Sequence, residues 1–258
     1  MLRQLPLKPV YRSEDDDLLR DFYIPAMQET VRYDRAVGYF SAAMISYAAQ
    51  GISALIANSG RMRLIIGAEL TLEETSAIEE GYEQKTLLEK LGQEFLETLT
   101  SVDDALFRER LKALSWLVAS GRLDIRVAIR KRGMYHEKIG IFHDTSDDFV
   151  VFQGSANETA SALLPDFNFE SINVFPSWRT ELQGHFQPYV DGFERLWNGT
   201  AKNTRTLEFP EALRDGLIRY SQGTRPPSPE TEISLYRPQT DDHEHQEEKL
   251  LPRIPENF

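Results

Sequence analysis

The 258-residue chain contains no cysteine, which excludes a disulfide scaffold, thiolate metal sites and a cysteine nucleophile. Positive charge is also scarce: 29 Lys and Arg stand against 41 Asp and Glu, a net charge of −12 with His neutral. A field of that sign repels phosphate, so nonspecific coating of nucleic acid or anionic lipid is excluded and any phosphate chemistry must rest on a local positive patch. No apolar run typical of a signal peptide stands near Met1. The uncharged stretch between Arg35 and Arg61 is interrupted by Gly38, Ser41, Ser46, Gln50, Gly51, Ser53, Asn58 and Ser59. It reads as a strand followed by a buried helix of small residues rather than a membrane span. With 41% hydrophobic and 27% charged residues, the chain can build a full core and is expected to be soluble and cytoplasmic.

Ser13 with Asp16 reads as a capping pair ahead of a helix carrying Leu18, Leu19, Phe22 and Met27. Arg35–Phe40 reads as a strand, 41–58 as a helix and Met62–Gly67 as a second strand. That order favours a parallel pair joined by a right-handed crossover. Residues 72–119 are helical in pattern, with Leu87, Leu88, Leu91 and Phe95 on one face and Gly121 ending a second helix after Trp116, Leu117 and Val118. Leu123–Ile129, His136–Phe142, Phe149–Phe152 and Phe169–Phe175 follow as strands, 155–164 as a short helix, and Phe186, Tyr189, Val190, Phe193 and Trp197 mark a late helix. The expected architecture is an α/β sandwich around a mixed sheet. Residues 1–200 are expected to form the main domain and 201–222 a short helical extension around Pro210–Tyr220. The Pro-rich and acidic stretch 223–258 reads as linker and tail. Within that tail His243 and His245 flank Glu244, but no second ligand cluster with zinc-site spacing accompanies them, so no metal and no cofactor are expected.

The most informative segment is Tyr135-His-Glu-Lys-Ile-Gly-Ile-Phe142, followed by Gln153-Gly-Ser-Ala-Asn-Glu158. On a strand His136 and Lys138 point to one face and Glu137 to the other. An imidazole is a nucleophile or proton carrier near neutral pH, and a fixed cation beside it can neutralise a phosphate and its transition state. Gly154-Ser-Ala-Asn157 falls at a strand-to-helix junction, where a hydroxyl, an amide and free N–H groups can hold an anion. Taken singly, a His-x-Lys on a strand or a Gly-Ser-Ala-Asn turn is unremarkable; their order and spacing between two strands is the signal.

His136, Lys138, Gly154, Ser155 and Asn157 together resemble the phospholipase D superfamily, with its His-x-Lys and Gly-Ser-x-Asn signature. The resemblance covers 136–157 closely and the α/β order of roughly 35–197 more loosely. It departs at the spaced aspartate, where His143 fills the slot and Asp144 comes one later. It implies a phospholipase D-like α/β/α sandwich and a metal-independent phosphodiesterase working through a phosphohistidine. It also implies an acidic partner for the histidine: Glu170 beyond the second motif, with Glu158 the competing choice. Ala36–Ser41, Leu64–Gly67, His136–Phe142 and Gly154–Thr159 further resemble the nuclease-like domains that open many bacterial helicases of defence and restriction systems.

Such a mechanism needs two histidines around one phosphate, and the remaining residues of that type are His143, His185, His243 and His245, none in a second His-x-Lys. A homodimer with a shared site is therefore expected. The substrate expectation is nucleic acid, DNA ahead of RNA. It rests on Arg122, Arg126, Arg130, Lys131, Arg132 and Lys138 against Asp124 and Glu137, a local +4, with Arg130, Lys131 and Arg132 as backbone contacts. The alternatives are an inactive dimerisation and DNA-positioning module serving a helicase or ATPase, and, third, a phospholipid hydrolase.

Overall fold

The computed structural model describes residues 1–38, 49, 51–68, 105–130, 135–154, 171–209, 214–215 and 228–235. Among these, eight strands form one mixed sheet: β1 (Val10–Arg12), β2 (Arg32–Val37), β3 (Arg61–Ala68), β4 (Leu123–Arg130), β5 (Ile139–His143), β6 (Phe149–Gly154), β7 (Ser171–Pro176) and β8 (Thr204–Glu208), in the order β1-β7-β6-β5-β2-β3-β4-β8. β2, β3 and β4 are mutually parallel, and every other pairing is antiparallel. The parallel pair expected from the β–α–β order is present as β2 and β3, in register from Arg32↔Arg61 to Val37↔Ile66.

Strand alternation divides the apolar side chains between two layers. One face carries Tyr33, Val37, Leu64, Ile66, Phe142 and Phe152, and packs against α1 (Ile24–Gln28), α2 (Ile52–Ala57) and α3 (Ala105–Ala119). The other carries Ala36, Ile65, Ala128, Ile139, Ile141 and Val151 against Phe186, Phe193 and Leu196 of α4 (Gln183–Trp197). The result is helix, sheet and helix in three layers. In α3 the buried Leu111, Leu114, Leu117 and Val118 recur at helical spacing, and Gly121 ends the chain's run at φ 67°, where Arg122 N–H reaches back to the Leu117 carbonyl at 2.8 Å.

Several expectations are corrected. The first helix is capped by Asp17, whose side chain accepts from Arg20 N at 3.0 Å, and not by Ser13 with Asp16. Asp16 instead takes the Arg12 N–H at 2.9 Å and Lys8. That helix starts as wide π turns over Leu18–Tyr23, ahead of Pro25, which has no N–H to give to the turn before it. The strand read as His136–Phe142 begins only at Ile139. Two short strands were not anticipated: β1, and β8, which extends the sheet past residue 200 by pairing with β4 from Arg126↔Glu208 to Arg130↔Thr204.

The stretch 223–258 read as linker contains a helix, α5 (Pro229–Leu235), that docks on the body. Its Glu232, 3% exposed, accepts from Gly51 N (2.9 Å), Ser53 Oγ (2.6 Å) and Arg110 Nε (3.1 Å). One buried carboxylate thus caps the start of α2 and pairs with α3. Residues 41–48, 50, 72–104, 155–164, 210–213 and 216–220 lie outside the described residues, as do His243 and His245.

Candidate active site at one end of the sheet

The strand directions bring one set of ends together. The C-termini of β2, β3 and β4, the start of β5, the end of β6 and the start of β7 all meet at the same edge of the sheet. Open α/β sheets bind ligands at the carboxyl ends of their parallel strands, where neighbouring connections diverge. Here β2 has β3 on one side, parallel, and β5 on the other, antiparallel.

His136 and Lys138 sit at this end, on the extended segment that leads into β5. Lys138 Nζ lies 3.3 Å from His136 Nδ1 and 3.2 Å from Nε2, and 3.5 Å from the His136 carbonyl. Lys138 is 5% exposed while His136 is open to solvent, so an anion arriving from water meets the imidazole with the ammonium directly behind it. Gly154, the first residue of the second motif, donates its N–H to the Lys138 carbonyl at 3.3 Å. Lys138 of the first motif and Gly154 of the second, separated by fifteen residues of chain, are therefore joined backbone to backbone.

Three glycines let the backbones close up here. A Cβ on Gly67 would stand 2.5 Å from the Gly38 carbonyl oxygen and 2.6 Å from that of Tyr135, so β3 can lie against the segment carrying His136 only without a side chain. A Cβ on Gly140 would fall 2.2 Å from two ring carbons of Phe152. On Gly154 it would stand 3.0 Å from the Ser171 carbonyl oxygen at the start of β7.

Two features of the site had only weak signals in the sequence. Tyr135, 6% exposed and packed in the α4-side core, donates its hydroxyl to Glu137 Oε2 at 2.8 Å. Burial, and then the nearby Glu137 carboxylate, push the Tyr135 hydroxyl far above its ordinary range, so it stays a donor. The sequence offered only the two-residue spacing, which brings Tyr135 to Glu137 as it brings His136 to Lys138. Arg35, 1% exposed in β2, lies in register with Gly140 and sets its guanidinium 5.0 Å from the centre of the Phe152 ring. A charged residue inside an apolar strand pattern was its mark.

Of the other residues singled out, Arg130 ends β4 at this same edge and is exposed. Three strand spacings separate it from β5, about 14 Å. Ser155, Asn157, Glu158, Glu170, Lys131 and Arg132 lie outside the described residues. The basic cluster expected beside the catalytic strand is divided. Arg126 stacks 4.4 Å from the Trp197 ring centre and donates to the Trp197 carbonyl, while Arg122 lies over Trp116 ahead of β4, at its far end.

His143 and Asp144 belong to the opposite end of β5. His143 Nε2 lies 3.0 Å from Asp34 Oδ2, in a cluster where Arg63 grips Asp34 through two bonds of 2.6 and 2.7 Å and also reaches Glu194 at 2.6 Å. Burial raises the Asp34 carboxyl, but the bonds from Arg63 and His143 outweigh it and hold the group below the usual carboxylate range. Asp144 accepts from Leu2 N (2.9 Å) and Ser146 N (2.8 Å), fixing the β5–β6 turn and the N-terminal segment. His185 stacks on Phe175 with ring centres 5.9 Å apart. Among the described residues no group of three or more His, Asp or Glu could hold a metal ion, and no helix is long and apolar enough to cross a membrane.

No family model and no curated protein matches the chain. Solved structures do. One is Nuc of Salmonella typhimurium, described as a phospholipase D family member, at 15% identity and TM-score 0.40, covering 77% of this chain and 96% of that one. Another is TrmBL2, described as an archaeal chromatin protein with a novel mode of DNA binding, at 13% identity and TM-score 0.35, covering 76% of this chain and 54% of that one.

Proposed function

We propose that the chain is a metal-independent phosphodiesterase of the phospholipase D superfamily that cleaves nucleic acid. The observation that carries this reading is the exposed His136 imidazole backed at 3.2 Å by the buried Lys138 ammonium, on a backbone held by the second motif through Gly154. An imidazole nitrogen attacks phosphorus in line, the P–O bond to the leaving group breaks, and the resulting phosphohistidine is hydrolysed by water. Lys138 neutralises a nonbridging oxygen as charge builds up. Ser155 and Asn157 are assigned to the other oxygens, and Glu170 to orienting the imidazole.

A second imidazole must protonate the leaving oxygen. His143 is seven residues away along the strand direction, about 24 Å, and engaged by Asp34; His185 is on α4 in an aromatic stack. Among the described residues neither of these reaches the site, and we assign the second imidazole to His136 of another copy, across a two-fold axis. Arg130, with Lys131 and Arg132, is assigned to the polynucleotide backbone leaving the site. DNA is the expected substrate, in the cytoplasm, in a defence or restriction system where a helicase acts with this domain.

Plasmid nicking in the presence of EDTA tests the reading. Wild-type protein is expected to nick, and His136→Ala to lose on the order of 10³-fold in rate. DNA binding with no cleavage from pH 5 to 9 would favour the positioning-module reading instead, and release of phosphatidate from vesicles the lipid enzyme.

A further inference from the structure

His136 and Lys138 are separated by a carboxylate. Glu137 lies between them in sequence, on the same short extended segment, and a carboxylate one residue from a lysine is a ready competitor for the ammonium that a phosphate needs. Glu137 stands two residues ahead of β5, outside the strand ladder that would fix its alternation with Lys138, so its carboxylate needs another anchor. That anchor is Tyr135, whose Oη donates to Glu137 Oε2 at 2.8 Å.

Tyr135 is itself immobilised. Its ring is 6% exposed in the core formed with Ile139, Ile141 and Phe186, and its backbone carbonyl is pressed against Gly67, where even a methyl group would stand 2.6 Å away. A donor fixed so firmly can hold a half-exposed carboxylate in one orientation.

We propose that Tyr135 is a positioning residue that sequesters Glu137, keeping its carboxylate off Lys138 so that the ammonium stays directed at the anion beside His136. This rests on the phosphodiesterase reading for the identity of the anion. Tyr135 and Glu137 are assigned no contact with the phosphate and act through the state of Lys138.

The test is a double-mutant cycle in the full-length chain. Inorganic phosphate binding is read from the His136 ring resonances, and turnover is measured on bis(p-nitrophenyl) phosphate. Tyr135→Phe removes one hydroxyl and frees the carboxylate. Phosphate affinity is expected to fall about tenfold, the size of one charge-assisted hydrogen bond lost to a competitor. Glu137→Gln alone should bind phosphate as well as wild type or better, and Tyr135→Phe with Glu137→Gln should return to within about twofold of it. A fold-supporting hydroxyl would give a different pattern, since removing the carboxylate cannot restore packing. Unchanged affinity in Tyr135→Phe, a double variant no better than Tyr135→Phe, or a weaker Glu137→Gln overturns the proposal. Should Tyr135→Phe fail to fold, Glu137→Gln decides alone. Wild-type protein that binds phosphate but turns over no diester leaves the cycle readable and sinks only the enzymatic reading, whereas a wild type with no phosphate affinity sinks both.

Discussion

Gly140 ties the stability of the sheet to the placement of the site, and Gly140→Ala measures that tie. The added methyl would lie 2.2 Å from Cε1 and Cζ of Phe152. Ordinary carbon contacts are about 3.5–4.0 Å, so a gap of at least ~1.3 Å must open. The ring cannot simply swing away. Phe142 lies 5.0 Å from it, Phe22 5.2 Å and Tyr23 5.6 Å between centroids, with the Arg35 guanidinium at 5.0 Å. Overpacking of this kind costs about 1–3 kcal/mol, which for a chain of this size lowers Tm by roughly 2–12 °C. Lys138 is only two residues upstream, so a shift of β5 carries into the site, and a misplacement of about 1 Å can cost ~100-fold in rate. Thermal unfolding and bis(p-nitrophenyl) phosphate turnover should thus both fall, turnover by more than the melting shift alone explains. Trimming the obstacle, with Phe152→Leu added to Gly140→Ala, should give a protein more stable than the sum of the two single losses. A Gly140→Ala protein that melts with wild type, or strictly additive losses in the double variant, would refute the packing argument.

Asp34→Asn should destabilise by about 1–3 kcal/mol, since Arg63 keeps only the exposed Glu194 as its carboxylate partner and His143 loses its own. The Asp34 carboxyl is held low in the folded state, so its contribution is present above the unfolded value near ~3.9 and is lost as pH falls through the lower folded value; urea midpoints of wild type and Asp34→Asn should converge only below about pH 4. Glu232→Ala removes the carboxylate that engages Gly51, Ser53 and Arg110, at an expected ~3–5 kcal/mol, and hydrogen exchange at the Gly51 amide should accelerate. Exchange there at the wild-type rate would mean that α5 does not hold α2.

What was legible in the sequence follows from range. β3, β4 and β6 carry their own signal, since six to eight alternating or apolar residues define a strand without help from elsewhere. β1 has three residues and exists because β7 offers it a partner, in register from Val10↔Asn173 to Arg12↔Ser171; no local pattern can announce that. α5 was hidden for the same reason. Its Pro-rich and acidic surroundings read as solvated, and what makes Glu232 a core residue is Arg110 and Gly51, more than a hundred positions earlier. The basic cluster erred in the opposite direction, because closeness in sequence is not closeness in space along a strand. Arg122 and Arg130 are eight residues apart, about 26 Å in extended chain, so charges that sum to a patch on paper lie at opposite ends of β4.

The His-x-Lys spacing spans only two residues, so little chain separates the two groups, and Lys138 Nζ lies 3.2 Å from His136 Nε2 although the segment stands ahead of β5. The same short span brings Tyr135 to Glu137, whose carboxylate takes the Tyr135 hydroxyl at 2.8 Å. What the spacing could not supply is the join between motifs. That comes from β5 and β6 being antiparallel neighbours, which returns Gly154 to Lys138 and turns two separate short motifs into one end of one sheet.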